Sequence, residues 1–448
     1  MLRIIDDVEE AKRGLLRRLP LEAQEVPAAV KEKIREVFKE DLTPQQVVDR
    51  IVADVRSRGD AAILDYNRRL DGVESADLEV KPEEVAQAYS QVSPELVSAL
   101  NLAAERIRMF HSRRQRRSWI AVDDGGLGER IQPLDRVGVY VPGGSASYPS
   151  TVLMACIPAR IAGVPEIIVT VPSRGGVVPP ATLVAADIAS VDRVLHVGGA
   201  QAIAALAFGT ESVPKVDKVC GPGNIFVQLA KKLVYGVVDI DGLYGPTELA
   251  IVADESANPA ICAADLLAQA EHDFLAVPIL LTTSKDLAMQ VQRETEVQLA
   301  RLERRETIAF SLENMGGIVV VADLEEAVDL VNYYAPEHLS VMVRDAWAFV
   351  GLVRHAGAVF VGENSPQAAG DYVAGPSHVL PTGGSARYGS ALTADDFLKV
   401  TSLVAMDSTT LGKVAPAAAT IARWEGLDGH ARALEIRLAA VPDDDCED

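Results

Sequence analysis

The chain has 448 residues, of which 48% are apolar and 24% charged, as is typical of a globular protein with a sizeable core. Its 43 Lys and Arg against 64 Asp and Glu give a net charge of −21, which disfavours general binding to nucleic acid or to anionic membranes. No uninterrupted apolar run approaches the roughly 18 residues that indicate a membrane span, so we expect no membrane partner.

The cysteines and the first residues predict a cytoplasmic protein. The sequence MLRIIDDVEEAKRGLLRRLP is charged throughout and lacks the apolar core of a signal peptide. The cysteines are far apart and form no CxxC pair, which indicates reduced thiols rather than disulfides or a cysteine zinc site. They are Cys156, Cys220, Cys262 and Cys446.

Residues 1 to about 120 are predicted to be mostly helical. Thr43 is a candidate N-cap for a helix that continues to Arg56, with Gln46 as its capping-box partner. Pro94 opens a further helix that continues towards Phe110. The basic run at 111–117 is open to two interpretations, a solvated surface or a phosphate contact.

From residue 136 short β-branched runs alternate with helical stretches. The predicted strands are Val137–Val141, Ile167–Val171, Arg193–Val197 and Val216–Cys220. The predicted helices are Pro149–Ala162, Pro180–Ala189, Ala200–Phe208 and Ile225–Tyr235. This βαβ series predicts a parallel sheet with helices on both faces.

The alternation resumes after Gly245-Pro246 and predicts a second such sheet. Its strands are Leu249–Ala253, Ile279–Thr282, Ile318–Val321, Leu339–Val343 and Ala358–Val361. Its helices are 258–272, Lys285–Arg301, Leu324–Asn332 and Ala346–His355, and about 60 helical residues follow. The fold class is therefore α/β, with two doubly wound Rossmann-like parallel-sheet domains and helical N- and C-terminal arms.

Glycine-rich turns join strand to helix at three places in the first series. They are Gly143-Gly144, Gly198-Gly199 and Gly221-Pro222-Gly223-Asn224. Such turns direct free backbone N–H groups and a helix N-terminus towards an anion, although any tight βα loop favours glycine. Because the GxGxxG fingerprint is absent, a nucleotide site is plausible from the residues but NAD is not demonstrated.

A second group of residues suggests a metal and acid/base chemistry. The group contains Gln269 and His272 at i and i+3, the adjacent Glu337 and His338, Asp371 with His378, and Glu425 with His430. Mixed nitrogen and oxygen ligands suit zinc or a similar divalent ion, but the long spacing matches no short zinc signature. Taken singly, each histidine is better explained by a surface or capping role, and only the group as a whole supports the metal hypothesis. Glu337 beside His338 is a plausible general acid/base pair.

The chain resembles the histidinol dehydrogenase family over residues of about 30 to 440. The resemblance is carried by motifs that occur in order along the chain. They are RVGVYVPGGSASYPSTVLM at 136–154, VGGAQAIAALAFGTESVPKVDKVCGPGN at 197–224, GPTE at 245–248, AQAEH at 268–272, APEHL at 335–339 and AGDYVAGPSHVLPTGG at 369–384.

The resemblance implies oxidation of L-histidinol through L-histidinaldehyde to L-histidine at one site, with two NAD reduced in sequence and one Zn²⁺ per subunit. The implied zinc ligands are Gln269, His272, Asp371 and His430, with His430 coming from the other subunit of a homodimer that shares its active sites. Tyr140, Gln201 and Asn224 match cofactor-binding positions, and Glu337 and His338 match the acid/base residues. The substrate-binding positions are Thr247, Gln269, His272, Glu337, Asp371, His378, Glu425 and His430.

The predicted organisation has four parts. Residues 1–29 form an N-terminal arm, and 30–135 with 249–385 form a first α/β domain that carries the metal and catalytic residues. Residues 136–248 form an inserted α/β domain on the NAD side. Residues 386–448 form a helical arm, which the resemblance implies is exchanged across the dimer.

The sequence departs from the family pattern in one loop. Tyr244 stands where alanine usually precedes the GP[ST]E motif, Thr247 replaces the commoner serine, and the loop 238–243 looks short. Glu425 and His378 are retained, which favours histidinol. The alternative is an NAD-dependent dehydrogenase that oxidises another small alcohol on the same scaffold.

Overall fold

The structure is a computed structural model, and it describes residues 2–18, 28–74, 77–113, 116–122, 125–143, 147–173 and 175–439. It divides into two compact units, Met1–Arg114 with Leu134–Phe397 and Gln115–Pro133 with Leu398–Asp448. Gly144, Cys446 and parts of the predicted basic run and C-terminal arm lie outside the described residues. None of the described helices has the length and apolarity needed to cross a membrane.

The first part of the chain is helical, as predicted. Its helices are Val8–Arg13, Ala28–Phe38, Pro44–Arg58, Asp60–Tyr66, Pro82–Ala88 and Pro94–Ser112, with a π-helical turn at Asn67–Asp71 and a 3₁₀ turn at Tyr89–Gln91. The capping box is confirmed, because the Gln46 N–H donates to Thr43 Oγ1 over 3.3 Å and the Thr43 N–H donates to Gln46 Oε1 over 2.9 Å.

A five-stranded parallel sheet follows. Across the sheet its strands are Arg193–Leu195, Glu166–Thr170, Arg136–Tyr140, Lys218–Cys220 and Asp239–Ile240. Its helices are Pro149–Ala162, Pro180–Ile188, Gly199–Phe208 and Ile225–Val234. The predicted βαβ series is confirmed, and the order of the strands is doubly wound, with the first strand of the series in the centre.

A six-stranded parallel sheet repeats this order. Across the sheet its strands are Ile4–Ile5, Gly317–Val320, Val277–Thr282, Glu248–Ala253, His338–Met342 and Ala358–Val361. Its helices are Pro259–Ala270, Lys285–Leu299, Arg305–Asn314, Leu324–Tyr334, Ala346–Val350 and Gln367–Tyr372, and 3₁₀ turns follow at Ser385–Arg387 and Ala394–Phe397. The predicted second sheet is confirmed.

The structure differs from the predicted grouping of the N-terminal helices. Val48 and Ile51 share a core with Ile168 of the five-stranded sheet, and Ala104 and Ile107 share another core with Val137 of the same sheet. These helices therefore cover the sheet that was expected to be a separate insertion. An amphipathic pattern shows which face of a helix is buried, but it does not show which sheet the face covers.

The two predicted arms also contain strands. Ile4 and Ile5 pair in parallel with Ile318 and Val319 and so add an edge strand to the six-stranded sheet. In the second unit, Leu398–Val404 pairs antiparallel with Leu127–Pro133, which pairs with Trp119–Ala121. The helices of that unit are Ser408–Trp424 and Asp428–Ala439. The prediction of a helical C-terminal arm was wrong at Leu398–Val404, because pairing with a distant segment determines this strand.

Candidate active site

The predicted acid/base pair lies at the amino edge of the six-stranded sheet. His338 begins the strand His338–Met342 and Glu337 immediately precedes it, while Glu248 begins the adjacent strand Glu248–Ala253. These two strands flank the point at which the order of the sheet reverses. Ligands of open α/β sheets usually bind at the carboxyl ends of the strands beside such a reversal point. In this sheet the ionisable groups lie instead at the amino ends of these two strands.

Glu337 is buried and hydrogen-bonded to the neighbouring strand. Its Oε2 accepts hydrogen bonds from Thr247 Oγ1 over 2.7 Å and from the Glu248 N–H over 2.8 Å. Burial raises the pKa of Glu337 to about 7, although the adjacent His338 and the Thr247 hydrogen bond act to lower it. A carboxylate that titrates near neutrality is suited to accept a proton at physiological pH.

His338 has one ring nitrogen engaged and the other available. Its Nδ1 lies 2.9 Å from the backbone oxygen of Glu248, so Nδ1 carries the proton and donates it. Its Nε2 is buried, accepts no hydrogen bond from the described residues and lies 3.6 Å from Asp371 Oδ1. Burial lowers the pKa of His338, but the carboxylates of Glu337 and Asp371 outweigh it and raise the pKa above its ordinary value.

Asp371 connects His338 to the predicted metal ligands. Its Oδ2 lies 4.0 Å from His272 Nε2 and accepts a hydrogen bond from Gln367 Nε2 over 3.3 Å. Burial acts to raise the pKa of Asp371, but contact with His338 and the nearby histidines lowers it overall. Its helix packs closely on the sheet through Gly370, where an added Cβ would lie 2.5 Å from the ring of Phe360. The lowered pKa favours the ionised form of Asp371, and the close packing at Gly370 fixes the distance of its helix from the sheet.

Gln269 and His272 lie at the end of the helix Pro259–Ala270. The helix ends two residues before His272, so His272 lies in the following turn and not in the helix as predicted. Gln269 Nε2 donates to Thr247 Oγ1 over 2.9 Å, which leaves the buried Gln269 Oε1 without a hydrogen-bond partner among the described residues. The His272 side chain is 40% exposed, and the partial desolvation that remains lowers its pKa, which favours the neutral imidazole that a metal requires.

These three residues fit a zinc ion. An unpartnered amide oxygen, a neutral imidazole and an ionised carboxylate form a nitrogen and oxygen donor set of the kind that zinc accepts. Within the described ranges, no group of three His, Cys, Asp or Glu side chains is arranged to hold a metal. The three residues include a glutamine, and the fourth predicted ligand, His430, belongs to the second unit.

His378 forms hydrogen bonds both to Asp371 and to a helix of the five-stranded sheet. Its Nδ1 donates to the backbone oxygen of Asp371 over 2.8 Å, so its Nε2 accepts from Thr151 Oγ1 over 3.2 Å. Thr151 lies in the first turn of Pro149–Ala162, the helix that follows the central strand of the five-stranded sheet. The amino edge of one sheet and the carboxyl edge of the other therefore border a common region.

The predicted cofactor residues lie at that carboxyl edge. Tyr140 ends the strand Arg136–Tyr140, and its hydroxyl accepts the Gly199 N–H over 3.3 Å. Gln201 is buried in the first turn of the helix Gly199–Phe208, and its Oε1 has no partner in the described part of the chain. Asn224 caps the helix Ile225–Val234, since its Oδ1 accepts the N–H groups of the second and third residues after it. Only its Nδ2 is left to face a ligand.

Glu425 and His430 lie in the second unit. Glu425 follows the helix Ser408–Trp424 and His430 lies on Asp428–Ala439, and both side chains are exposed. The structure therefore brings together Thr247, Gln269, His272, Glu337, His338, Asp371 and His378 within one unit. It does not bring these residues together with Glu425 and His430 within that unit.

Three supporting residues were missed in the sequence. The backbone of Glu248 holds both Glu337 and His338, and its side chain pairs with Arg18. Gln367 holds Asp371. Glu248 stands in the GPTE motif, which was a usable signal, whereas nothing near Arg18 or Gln367 indicated a role.

Comparisons with known proteins agree with the resemblance. A family model described as histidinol dehydrogenase matches residues 35–438. A histidinol dehydrogenase of Deinococcus radiodurans is 52% identical over 418 residues, which is 92% of this chain and 95% of that protein. One of Dehalococcoides mccartyi is 52% identical over 398 residues, which is 89% of this chain and 91% of that protein.

A solved structure shows the same fold. The crystal structure of histidinol dehydrogenase from Elizabethkingia anophelis aligns with a TM-score of 0.90 and 32% identity, and it covers 98% of each chain. The family match, the sequence identity and the fold agree over nearly the whole length. The chain belongs to the histidinol dehydrogenase family.

Proposed function

We propose that this protein is an NAD-dependent L-histidinol dehydrogenase that converts L-histidinol through L-histidinaldehyde to L-histidine. The observation that carries the proposal is the buried Glu337–His338 pair beside Asp371, with the free Nε2 of His338 directed to the side of the predicted metal ligands. An alcohol oxidation needs a base for the hydroxyl proton, and this nitrogen is available for that task.

His338 would accept the hydroxyl proton at Nε2 while hydride leaves the carbon. Its Nδ1 stays bonded to the Glu248 backbone oxygen, so the ring keeps its orientation when it becomes charged. The carboxylates of Glu337 and Asp371 stabilise the resulting imidazolium, as their effect on the pKa of His338 indicates.

Glu337 would activate the water that hydrates the aldehyde. Because burial raises its pKa to about 7, it can hold and release a proton near neutrality. His338 would then act again as base for the second hydride transfer. Keeping the aldehyde in one closed site prevents its loss to solvent.

Gln269, His272, Asp371 and the His430 contributed by a second subunit would hold zinc. When bound, zinc would orient the imidazole and amine nitrogens of the substrate. Thr247, His378 and Glu425 would contact the substrate, with Glu425 seating its amine near the metal.

Tyr140, Gln201 and Asn224 would hold NAD at the carboxyl edge of the five-stranded sheet. NAD supplies the hydride acceptor for both oxidations. The unpartnered Gln201 Oε1 supports a polar ligand there, since buried polar atoms without partners are uncommon.

The active unit would be a homodimer with shared active sites. The helices of the second unit expose large apolar side chains, among them Trp424 at 89% and Ile436 at 69%, and such surfaces favour association. The cytoplasmic location expected from the cysteines stays a prediction.

The decisive experiment is the yield of NADH per L-histidinol consumed. We expect two, with L-histidine as the product. A yield of one with accumulating aldehyde would contradict the four-electron reaction. No turnover of L-histidinol, with turnover of another small alcohol, would favour the alternative dehydrogenase whose pocket Tyr244 reshapes.

A further inference from the structure

The glycine turn Gly221-Pro222-Gly223-Asn224 has a backbone shape that other residues do not adopt. Gly221 has a φ of +111°, and an added Cβ would lie 2.1 Å from the backbone oxygen of Tyr140. The turn leads into the helix Ile225–Val234, whose N-terminus Asn224 caps. A turn of this kind keeps its shape only if surrounding groups determine it.

A fully buried ion pair lies directly behind this turn. Lys231 Nζ is 2.5 Å from Asp241 Oδ1, and the two side chains are 0% and 1% exposed. Removing two charges from water is costly, so burial of such a pair is weak evidence for a gain in stability. A buried pair is better explained when it selects one local structure.

The pair binds both backbone groups of Gly221. The Gly221 N–H donates to Asp241 Oδ2 over 2.6 Å, and Lys231 Nζ donates to the Gly221 backbone oxygen over 2.9 Å. Charged partners make these hydrogen bonds stronger than neutral ones. Asp241 therefore holds the peptide group that precedes Gly221, and Lys231 holds the peptide group that follows it.

The same residues connect the turn to the loop that leads to the acid/base pair. Lys231 Nζ lies 4.6 Å from the ring centre of Tyr244, the residue that departs from the family pattern. Gln228 donates to the Gly223 oxygen over 3.2 Å and accepts the Tyr244 N–H over 2.8 Å. Three residues after Tyr244, Thr247 donates to Glu337. The contacts of the turn thus reach Tyr244, and the short backbone segment from Tyr244 to Thr247 completes the connection to Glu337.

We propose that Lys231 and Asp241 are positioning residues that hold the glycine turn in its NAD-binding shape and tie it to the loop carrying Thr247. The inference rests on the proposed function, because it takes Asn224 and its turn to contact NAD. The pair touches neither substrate nor reacting atoms. Its contribution is to preorganise the turn before the cofactor arrives, which lowers the ordering cost of binding.

The test compares NAD binding by variants of the intact protein, measured by calorimetric titration without substrate. Lys231→Met combined with Asp241→Asn removes both charges and leaves no lone buried charge. We expect this double variant to keep a melting temperature near that of the wild type and to raise the Kd for NAD about tenfold. Lys232→Met, an exposed neighbour on the same helix, is the control and should leave the Kd unchanged.

A second variant keeps the test decisive if the double variant fails to fold. Gln228→Met leaves the ion pair intact but cuts the link between Gly223 and Tyr244, and we expect it to raise the Kd about threefold. If folded double and Gln228 variants bind NAD like the wild type, the positioning role is wrong while the proposed function stands. If the wild type itself binds no NAD, the proposed function fails, and the inference fails with it.

Discussion

His338 Nδ1 lies 2.9 Å from the backbone oxygen of Glu248, the first residue of the adjacent strand. A carbonyl oxygen can only accept, so this contact places the imidazole proton on Nδ1 and leaves the lone pair on Nε2. The parallel register that pairs His338 with Leu249 sets the contact. Strand pairing therefore decides which nitrogen of His338 would act as the base in the proposed reaction.

We expect kcat/KM for L-histidinol to fall as the pH is lowered through about 7. Burial raises the pKa of Glu337 to about 7. The carboxylates of Glu337 and Asp371 raise the pKa of His338 above its ordinary value. The protonated forms dominate below these pKa values and cannot act as bases, so the rate falls on the acid side. A pH profile of the wild type checks this, and a flat profile from pH 6 to 8 would contradict it.

Glu337→Gln should slow aldehyde oxidation more than alcohol oxidation. Loss of a general base costs typically about 10²–10⁴-fold, and only the second half-reaction needs an activated water. Stopped-flow measurement of NADH from L-histidinol and from added L-histidinaldehyde separates the two steps. Equal losses in both would remove the water-activating role of Glu337.

Chelation should abolish activity, and zinc should restore it. Gln269→Leu should weaken zinc binding, because it deletes the buried Oε1 that has no other partner in the described residues. We expect a loss of about 10–100-fold in metal affinity, measured by metal analysis after dialysis against a chelator series. Full turnover by thoroughly demetallated protein would reject the ligand assignment.

Mixed dimers test whether the active site is shared. His338→Ala and His430→Ala chains are each expected to be inactive alone. If His430 completes the active site of the partner chain, as proposed, one site of a mixed dimer has both His338 and His430 intact, so the mixture should regain about one working site. Failure to recover activity on mixing would indicate that His430 acts within its own subunit.

Two glycine substitutions should have opposite effects. At Gly370 an added Cβ would lie 2.5 Å from Phe360, so Gly370→Ala should displace Asp371 and lower kcat/KM. The same clash should lower the free energy of unfolding by about 1–3 kcal/mol. Gly412 lies in a helix with nothing within 4 Å of its added Cβ, so Gly412→Ala should raise stability by about 0.5–1 kcal/mol. Urea unfolding distinguishes them, and a neutral Gly370→Ala would contradict the close packing.

The local sequence determined both parallel sheets and the capping box at Thr43, because β-branched runs, glycine turns and capping residues act within a few positions of the chain. It also supplied the chemical identity of the site residues, since the Glu337–His338 and Gln269–His272 spacings are local features.

Only the tertiary structure decided how those parts combine. The helices from Ala28–Phe38 to Pro94–Ser112 cover the five-stranded sheet, and Leu398–Val404 becomes a strand through pairing with Leu127–Pro133. The site lies at an amino edge, and the raised pKa of Glu337 follows from its burial there. The periodicity of apolar residues indicates which side chains are buried. Strand pairing, the depth of burial and the sheet that a helix covers depend on segments that are distant in the chain.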